Sequence, residues 1–210
     1  MCDSDDHMNA SEVTRLESLW QGDFGDDYVD RNSEAYAARG TFWADRMAQM
    51  QPSSVLEVGC NVGANLHWIR QHTAARNVFG VDINEKALAR LRVSEPDVNP
   101  VWGSARRLPF RDAAFDLVFT MGVLIHQPDQ TLPLVMAEMV RASRRWVVCG
   151  EYYAPDTTEV SYRGHEGALF KRDYGRLFTE TFPELTLRGE GFLSHDEGWD
   201  DVTWWAFEIT

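Results

Sequence analysis

From Ser54 onward the chain alternates short apolar runs with stretches of helical periodicity, and this alternation limits the available folds more than any other feature. Val55-Leu56-Glu57-Val58 reads as a first strand, followed by a helix over 63–72. Residues 78–81 are a second strand, and Asn84 caps a helix over 85–93. A third strand lies around Val101-Trp102 and a fourth over 115–120. A helix over 130–143 turns Leu132, Val135, Met136, Met139 and Val140 inward, and 145–150 is a fifth strand. Strands this short and apolar are buried on both faces, so the pattern predicts a parallel sheet with helices on each side. A polar stretch over 154–170, a helix over 171–181 and strands near 185–193 and 202–209 follow. The last two lie close in sequence and pair as an antiparallel hairpin at a sheet edge, giving a seven-stranded, mostly parallel α/β sheet. Alternation sends Trp204 and Trp205 to opposite faces.

A chain of 210 residues fits one domain. Within it, residues 1–53 read as an N-terminal helical lid and 54–210 as the core. Residues 1–10 read as frayed, Ser11 caps a helix over 11–20, a Gly- and Asp-rich loop is expected over 21–28, and Asn32 or Ser33 caps a second helix running to about Met50. Tyr36, Trp43, Met47 and Met50 form the inner face of that helix, and Pro52 ends it. Trp20, Phe24 and Trp43 are expected to pack the lid rather than touch a ligand.

Net charge is −13, which repels phosphate backbones and argues against a nucleic-acid partner. No apolar run reaches the roughly 18 residues of a membrane span. The acidic start, Met1-Cys2-Asp3-Ser4-Asp5-Asp6, lacks the apolar core of a secretory leader. Cys2, Cys60 and Cys149 show no metal-ligand spacing and read as free thiols of a reducing cytosol. No metal site is expected, and a monomer or homodimer in the cytoplasm is the simplest reading.

Chemistry concentrates in Val55-Leu56-Glu57-Val58-Gly59-Cys60-Asn61-Val62-Gly63-Ala64-Asn65-Leu66, a strand, a tight turn and a helix start. Gly59 and Gly63 let backbone approach a ligand where a β-carbon would clash. The turn lies at the carboxyl end of the first strand, beside the crevice where such sheets bind ligands. Glu57 can organise the turn or receive a cationic group. Asp82, nineteen residues after Gly63, ends the second strand, where its carboxylate can accept from two ribose hydroxyls. Ile83 can cover one face of an adenine, and the small Ser104 and Ala105 after the third strand leave room for the other.

In this order, over about 54–151, these residues resemble the class I, Rossmann-like, S-adenosylmethionine-dependent methyltransferases: the Glu-x-Gly-x-x-x-Gly loop, the acidic strand end, "GSARRLPFRDAAFDLVFT" and "MGVLIH". Asn61 stands where that family usually has a glycine, and asparagine tolerates the unusual backbone angles. The same departure breaks the Gly-x-Gly-x-x-Gly fingerprint of nicotinamide enzymes, and no Tyr-x-x-x-Lys pair is present. The resemblance implies S-adenosylmethionine as cofactor, with Tyr28 and Arg31 folding over it, Arg31 pairing with its carboxylate and the backbone at Met121 receiving its ammonium. For Arg31 an ordinary helix-start ion pair is an equal alternative.

"LWQGDFGDDYVDRN", "FTMGVLIHQPD", "EYYAP" and "YRGHEGALFKRDYG" further resemble methylases associated with pseudaminic acid biosynthesis and relatives in natural-product pathways. This implies a small polar acceptor, sugar-like or amine-bearing, and does not fix the atom methylated; the acidic surface and the Glu151–Asp173 region favour nitrogen over oxygen. His126 is a candidate proton acceptor, or else a loop histidine bonded to backbone; Glu151 and Tyr152 are the other catalytic candidates. Tyr153, Tyr162, Arg163, His165, Lys171 and Arg172 make the 152–175 insertion an acceptor-binding segment, the alternative being a solvated loop. The acidic surface favours a cationic acceptor, whereas Arg163, Lys171 and Arg172 favour a carboxylate or phosphate on the same molecule. Trp199 and Asp200 have no assigned role. The competing functions are a non-catalytic S-adenosylmethionine-binding scaffold and a nicotinamide-dependent oxidoreductase.

Overall fold

The structure, a computed structural model, describes residues 14–31, 39–73 and 75–210. The expected caps Ser11, Asn32 and Ser33, the frayed segment 1–10, and Tyr36 lie outside the described residues. The core elements follow the expected order. They are β1 (Val55–Val58), β2 (Val78–Asp82), β3 (Asn99–Trp102), β4 (Phe115–Met121) and β5 (Ser143–Glu151), with β8 (Leu185–Leu193) and β9 (Val202–Ile209) at the end. Two two-residue strands, β6 (Thr158–Glu159) and β7 (Phe170–Lys171), pair with each other inside the segment expected to be irregular. The helices are α1 (14–21), α2 (Asp23–Arg31), α3 (Arg39–Met50), α4 (Leu66–Ile69), α5 (Glu85–Ser94), α6 (Leu132–Ala142) and α7 (Tyr174–Thr181), so α2 takes the place of most of the expected loop.

The sheet order is β3-β2-β1-β4-β5-β9-β8. β1 to β5 run parallel, and the β8–β9 hairpin adds antiparallel to β5, so β8 forms the edge. Alternation along the strands loads both faces. Leu56, Val58 and Val118 meet Val135, Met136 and Met139 of α6 in one core, while Val55, Leu117 and Phe119 meet Trp43, Met47, Leu66 and Leu88 in the other. Each fully buried aliphatic side chain contributes about 1.5–3 kcal/mol. Trp205 enters the first core, and Trp204 packs on the second beneath the Arg46 guanidinium at 4.6 Å.

Two helices are shorter than expected, each for a local reason. The turn after β1 consumes residues 59–65, leaving Leu66–Ile69 helical, because Gly63 adopts φ +83° and the backbone must leave the loop before it can wind. Asp173 accepts from the amide of Arg176 at 2.9 Å and so starts α7 three residues later than the sequence pattern suggests. Asn84 caps α5 as expected, accepting from the amide of Ala87 at 2.8 Å.

Helices α1 and α2 lie across the carboxyl ends of β2 and β3. Glu17 of α1 accepts from Ser104 Oγ at 2.5 Å and pairs with Arg106. Asn84 donates to the Trp20 carbonyl at 3.0 Å and to Asp26 at 2.9 Å, and Asp30 of α2 takes Lys86 and Arg90. This row of polar contacts sets the helices over the open end of the sheet.

Candidate active site

A cavity of about 230 Å³ lies beneath α1 and α2, at the carboxyl ends of β1, β2 and β4. Its floor is the turn after β1. Gly59 has φ +72°, and a β-carbon there would come 2.4 Å from Val123 Cγ2, so the position admits no larger residue without displacing the loop after β4. Asn61 also takes a left-handed φ, +46°, which asparagine accommodates. Gly63 is outside the cavity lining. Its absent side chain admits Leu91 of α5, whose Cδ1 would sit 2.4 Å from a β-carbon.

Glu57 is buried and lines the cavity. Its Oε1 accepts from Asn65 Nδ2 at 2.5 Å, and its Oε2 is buried with no partner among the described residues. Burial pushes its carboxyl up to about 8, against the opposing pull of the Asn65 bond and the Arg39 charge. Arg39, the first described residue of α3, donates to Asn65 Oδ1 at 3.0 Å and stacks 4.9 Å over the Trp199 ring, with its Nε buried and partnerless among the described residues. Asn65 thus separates a carboxylate from a guanidinium, each with one polar atom left over. That arrangement suits a zwitterion: the ammonium to Glu57, the carboxylate to Arg39.

Asp82 stands at the next strand end. Its Oδ2 accepts from the amide of Asn61 and its Oδ1 from the amide of Asn84, both at 2.8 Å, so the carboxylate ties the turn after β1 to the cap of α5. Burial pushes its carboxyl upward while these amides oppose the shift. Ile83, Ser104 and Ala105 line the same end of the cavity.

Met121, Gly122 and Val123 form the wall opposite, and Glu151 explains their shape. Glu151 is fully buried and accepts from the amides of Val123 (3.3 Å), Leu124 (3.2 Å) and Ile125 (3.1 Å). It is outside the cavity lining, and its carboxylate braces the 123–125 backbone of the 121–126 turn. His126 lines the cavity, with Nδ1 2.6 Å from the Ala168 carbonyl, so Nδ1 carries the proton and donates. Burial brings its imidazole down to about 4, which keeps the ring neutral and makes it a weak base.

Other rings line the cavity too, Trp20, Tyr28, Tyr152 and Tyr162 with the carboxylate of Asp200, while Trp199 lies under the Arg39 guanidinium. Trp20 packs 5.3 Å from Tyr28 and 4.6 Å from His126, and His126 packs 5.2 Å from Tyr162. Other expected binding residues lie elsewhere. Arg31 is exposed and sits 5.9 Å over the Tyr28 ring, outside the lining, whereas Arg39 lines the cavity. Arg172 is buried, bonded to the Gln127 carbonyl (3.0 Å) and paired with Asp129 (2.8 Å), and so anchors the 152–175 segment instead of meeting a ligand. Lys171 points its ammonium at the Tyr152 ring, 5.7 Å away. Arg163 and Tyr153 are exposed outside the lining, and His165 packs edge-on to Phe24 at 5.0 Å.

Sequence reasoning missed Glu17, Arg39, Asn65, Trp199 and Asp200 and gave Trp20 only a packing role, yet all six line the cavity. Asn65 carried a signal: it follows the glycine turn as a polar residue at a helix start. Nothing local marked the others.

An open sheet in this order, with a glycine turn after β1 and a carboxylate ending β2, is the architecture of the class I, S-adenosylmethionine-dependent methyltransferases. Residues 55–145 match the family model of the methyltransferase domain. Among curated proteins it is similar to 27-O-demethylrifamycin SV methyltransferase of Amycolatopsis mediterranei, at 32% identity over 55% of this chain and 46% of that one. It is also similar to 24-methylenesterol C-methyltransferase 2 of Arabidopsis thaliana, at 30% identity over 54% of this chain and 35% of that one. The chain thus spans less than half the length of either relative. Among solved structures, the Burkholderia thailandensis 1,6-didemethyltoxoflavin-N1-methyltransferase, with its substrate and S-adenosylhomocysteine bound, superposes with a TM-score of 0.69 at 15% identity, covering 100% of this chain and 92% of that one. At that identity the likeness speaks to the fold.

Proposed function

We propose that this protein transfers a methyl group from S-adenosylmethionine to a nitrogen atom of a small amine-bearing molecule. The observation that carries this reading is the pair of buried, partnerless polar atoms on Glu57 and Arg39, set on either side of Asn65 at the centre of the cavity. They match the ammonium and carboxylate of a methionine moiety. Asp82 would accept from the ribose hydroxyls, and Ile83, Ser104 and Ala105 would flank the adenine. Bound there, S-adenosylmethionine supplies a sulfonium methyl; the acceptor lone pair forms the new N–C bond as the C–S pair returns to sulfur.

The remaining work falls to the chain's own side chains. Val123, held by Glu151, and Met121 beside it would form the wall at the transfer site, and Trp20 and Tyr28 would shut water out, so the protein acts chiefly by alignment. His126 stays neutral and offers an acceptor nitrogen without taking up a proton at ordinary pH. The acceptor class is supported by the cavity lining: Asp200 is there, and of the lining guanidiniums Arg106 is paired with Glu17 while Arg39 is given in this reading to the cofactor carboxylate. With Arg163, Lys171 and Arg172 outside the lining, the case for an anionic group on the acceptor weakens. A sugar-like or amine-bearing acceptor is part of the same reading. A cytoplasmic monomer or homodimer without a nucleic-acid partner belongs to the same reading. No helix among the described residues is long and apolar enough to cross a membrane.

Calorimetric titration with S-adenosylhomocysteine, with NADH as the control, tests the proposal. Micromolar binding of the first and none of the second is expected; binding of NADH alone would replace the proposal with nicotinamide chemistry.

A further inference from the structure

The cavity brings together more π-surface than a hydroxyl acceptor needs. Trp20 comes from α1, Tyr28 from α2, His126 from the turn after β4, and Tyr152 and Tyr162 from the segment after β5. Five rings from four stretches of chain line the one cavity. The Asp200 carboxylate stands with them, and its charge is felt at two of the phenols. Burial raises the Tyr28 hydroxyl, with further contributions from Tyr162 and then Asp200; burial and then Asp200 raise Tyr152. The opposing charge at Tyr28 is Arg39, which is bonded to Asn65 and stacked on Trp199. The rings are neutral and electron-rich, and His126 adds no charge.

Ring faces attract a cation through their quadrupoles, and a carboxylate adds direct attraction. A primary ammonium prefers water or hydrogen-bond acceptors. An ammonium that already carries methyl groups has fewer N–H donors to satisfy and more apolar surface to bury, so it gains most from such a lining. From this we infer that the ring-lined part of the cavity is a cage for an N-methylated ammonium head group, and that acceptors already bearing one or more N-methyl groups enter it as readily as the unmethylated amine. The inference rests on the methyl-transfer reading and names its substrate class. It implies successive methylation of one nitrogen. In each round a neutral amine lone pair takes the methyl, the C–S pair remains on sulfur, and any N–H proton leaves to solvent.

The test uses the full chain saturated with S-adenosylhomocysteine and two test ligands of matched shape, choline and its uncharged carbon analogue 3,3-dimethyl-1-butanol. Binding is followed by tryptophan fluorescence and calorimetry. Choline is expected to bind at least about tenfold more tightly than the neutral analogue. Asp200→Asn and Tyr162→Leu should each cut that preference severalfold while leaving S-adenosylhomocysteine affinity intact, which shows that the variants are folded. Equal binding of the two ligands to the loaded protein would overturn the cage and leave methyl transfer standing. Failure of S-adenosylhomocysteine itself to bind would remove both.

Discussion

The two ends of the cavity are built by different means. The cofactor end is backbone geometry held by the sheet: a glycine turn, a strand-end carboxylate and the amides it fixes, within residues 57–84. The part proposed for the acceptor is side chains from α1, α2, the 121–126 turn, the segment after β5 and the loop before β9. One end is local in sequence and the other is assembled from a distance, so the two should respond differently to mutation.

Asp82→Ala should produce the largest effect, because it removes the proposed ribose acceptor and frees the amides of Asn61 and Asn84. Hydrogen bonds to a charged group are worth about 1.5–3 kcal/mol each, so S-adenosylhomocysteine affinity should fall by about a hundredfold or more in calorimetry. Normal affinity would break the comparison at its better-defined end. Gly59→Ala should come next, combining positive φ with a clash on Val123, and cost about 1–3 kcal/mol of stability in a denaturant titration.

The Glu57 carboxyl, pushed up to about 8 in the ligand-free protein, must ionise to receive an ammonium. Affinity for S-adenosylhomocysteine should therefore rise with pH until about 8, by up to about tenfold per unit below it, and Glu57→Gln should flatten the slope. The linked stability effect has the opposite direction. An acid whose folded value is raised contributes stability that is complete below its ordinary value near 4.5 and is lost as pH rises through about 8, so the ligand-free wild type should lose stability across that window relative to Glu57→Gln.

Arg39→Leu should weaken cofactor binding by about tenfold, the scale of one charge-assisted pair. The exposed Arg31, changed to Ala, should move affinity by less than about twofold. If the two arginines exchange these outcomes, the placement of α2 and α3 around the cofactor end is wrong. The smallest effect concerns His126: kcat should show no inflection between pH 6 and 7 assignable to its imidazole, which is already neutral there.

This contrast also sets how far the sequence could be read. The parallel strands, the hairpin and the Asn84 cap were legible because they follow short-range rules of periodicity and capping. Gly59, Asn61, Glu57 and Asp82 were legible for the same reason, lying in one strand–turn–helix unit and the strand beside it. Arg39 was not, because nothing in its neighbourhood distinguishes it from Arg31; only the path of α3 brings it to Asn65. Arg172 misled in the reverse direction. A basic residue in a polar stretch reads as a ligand contact until the fold buries it against Gln127 and Asp129. Glu151 reads as catalytic because it ends a strand at the open edge, and only the fold shows its carboxylate bracing three amides.

Those amide partners have a further consequence. The 121–126 turn is the party wall between the two ends of the cavity, and Glu151 pins it from behind, through contacts that involve no ligand. A wall shared in this way carries messages. On one side Val123 fills the space left by the missing side chain of Gly59, and on the other His126 and Gln127 are moored to Ala168 and Arg172 of the segment after β5, so a change in that segment reaches the glycine turn through the wall itself.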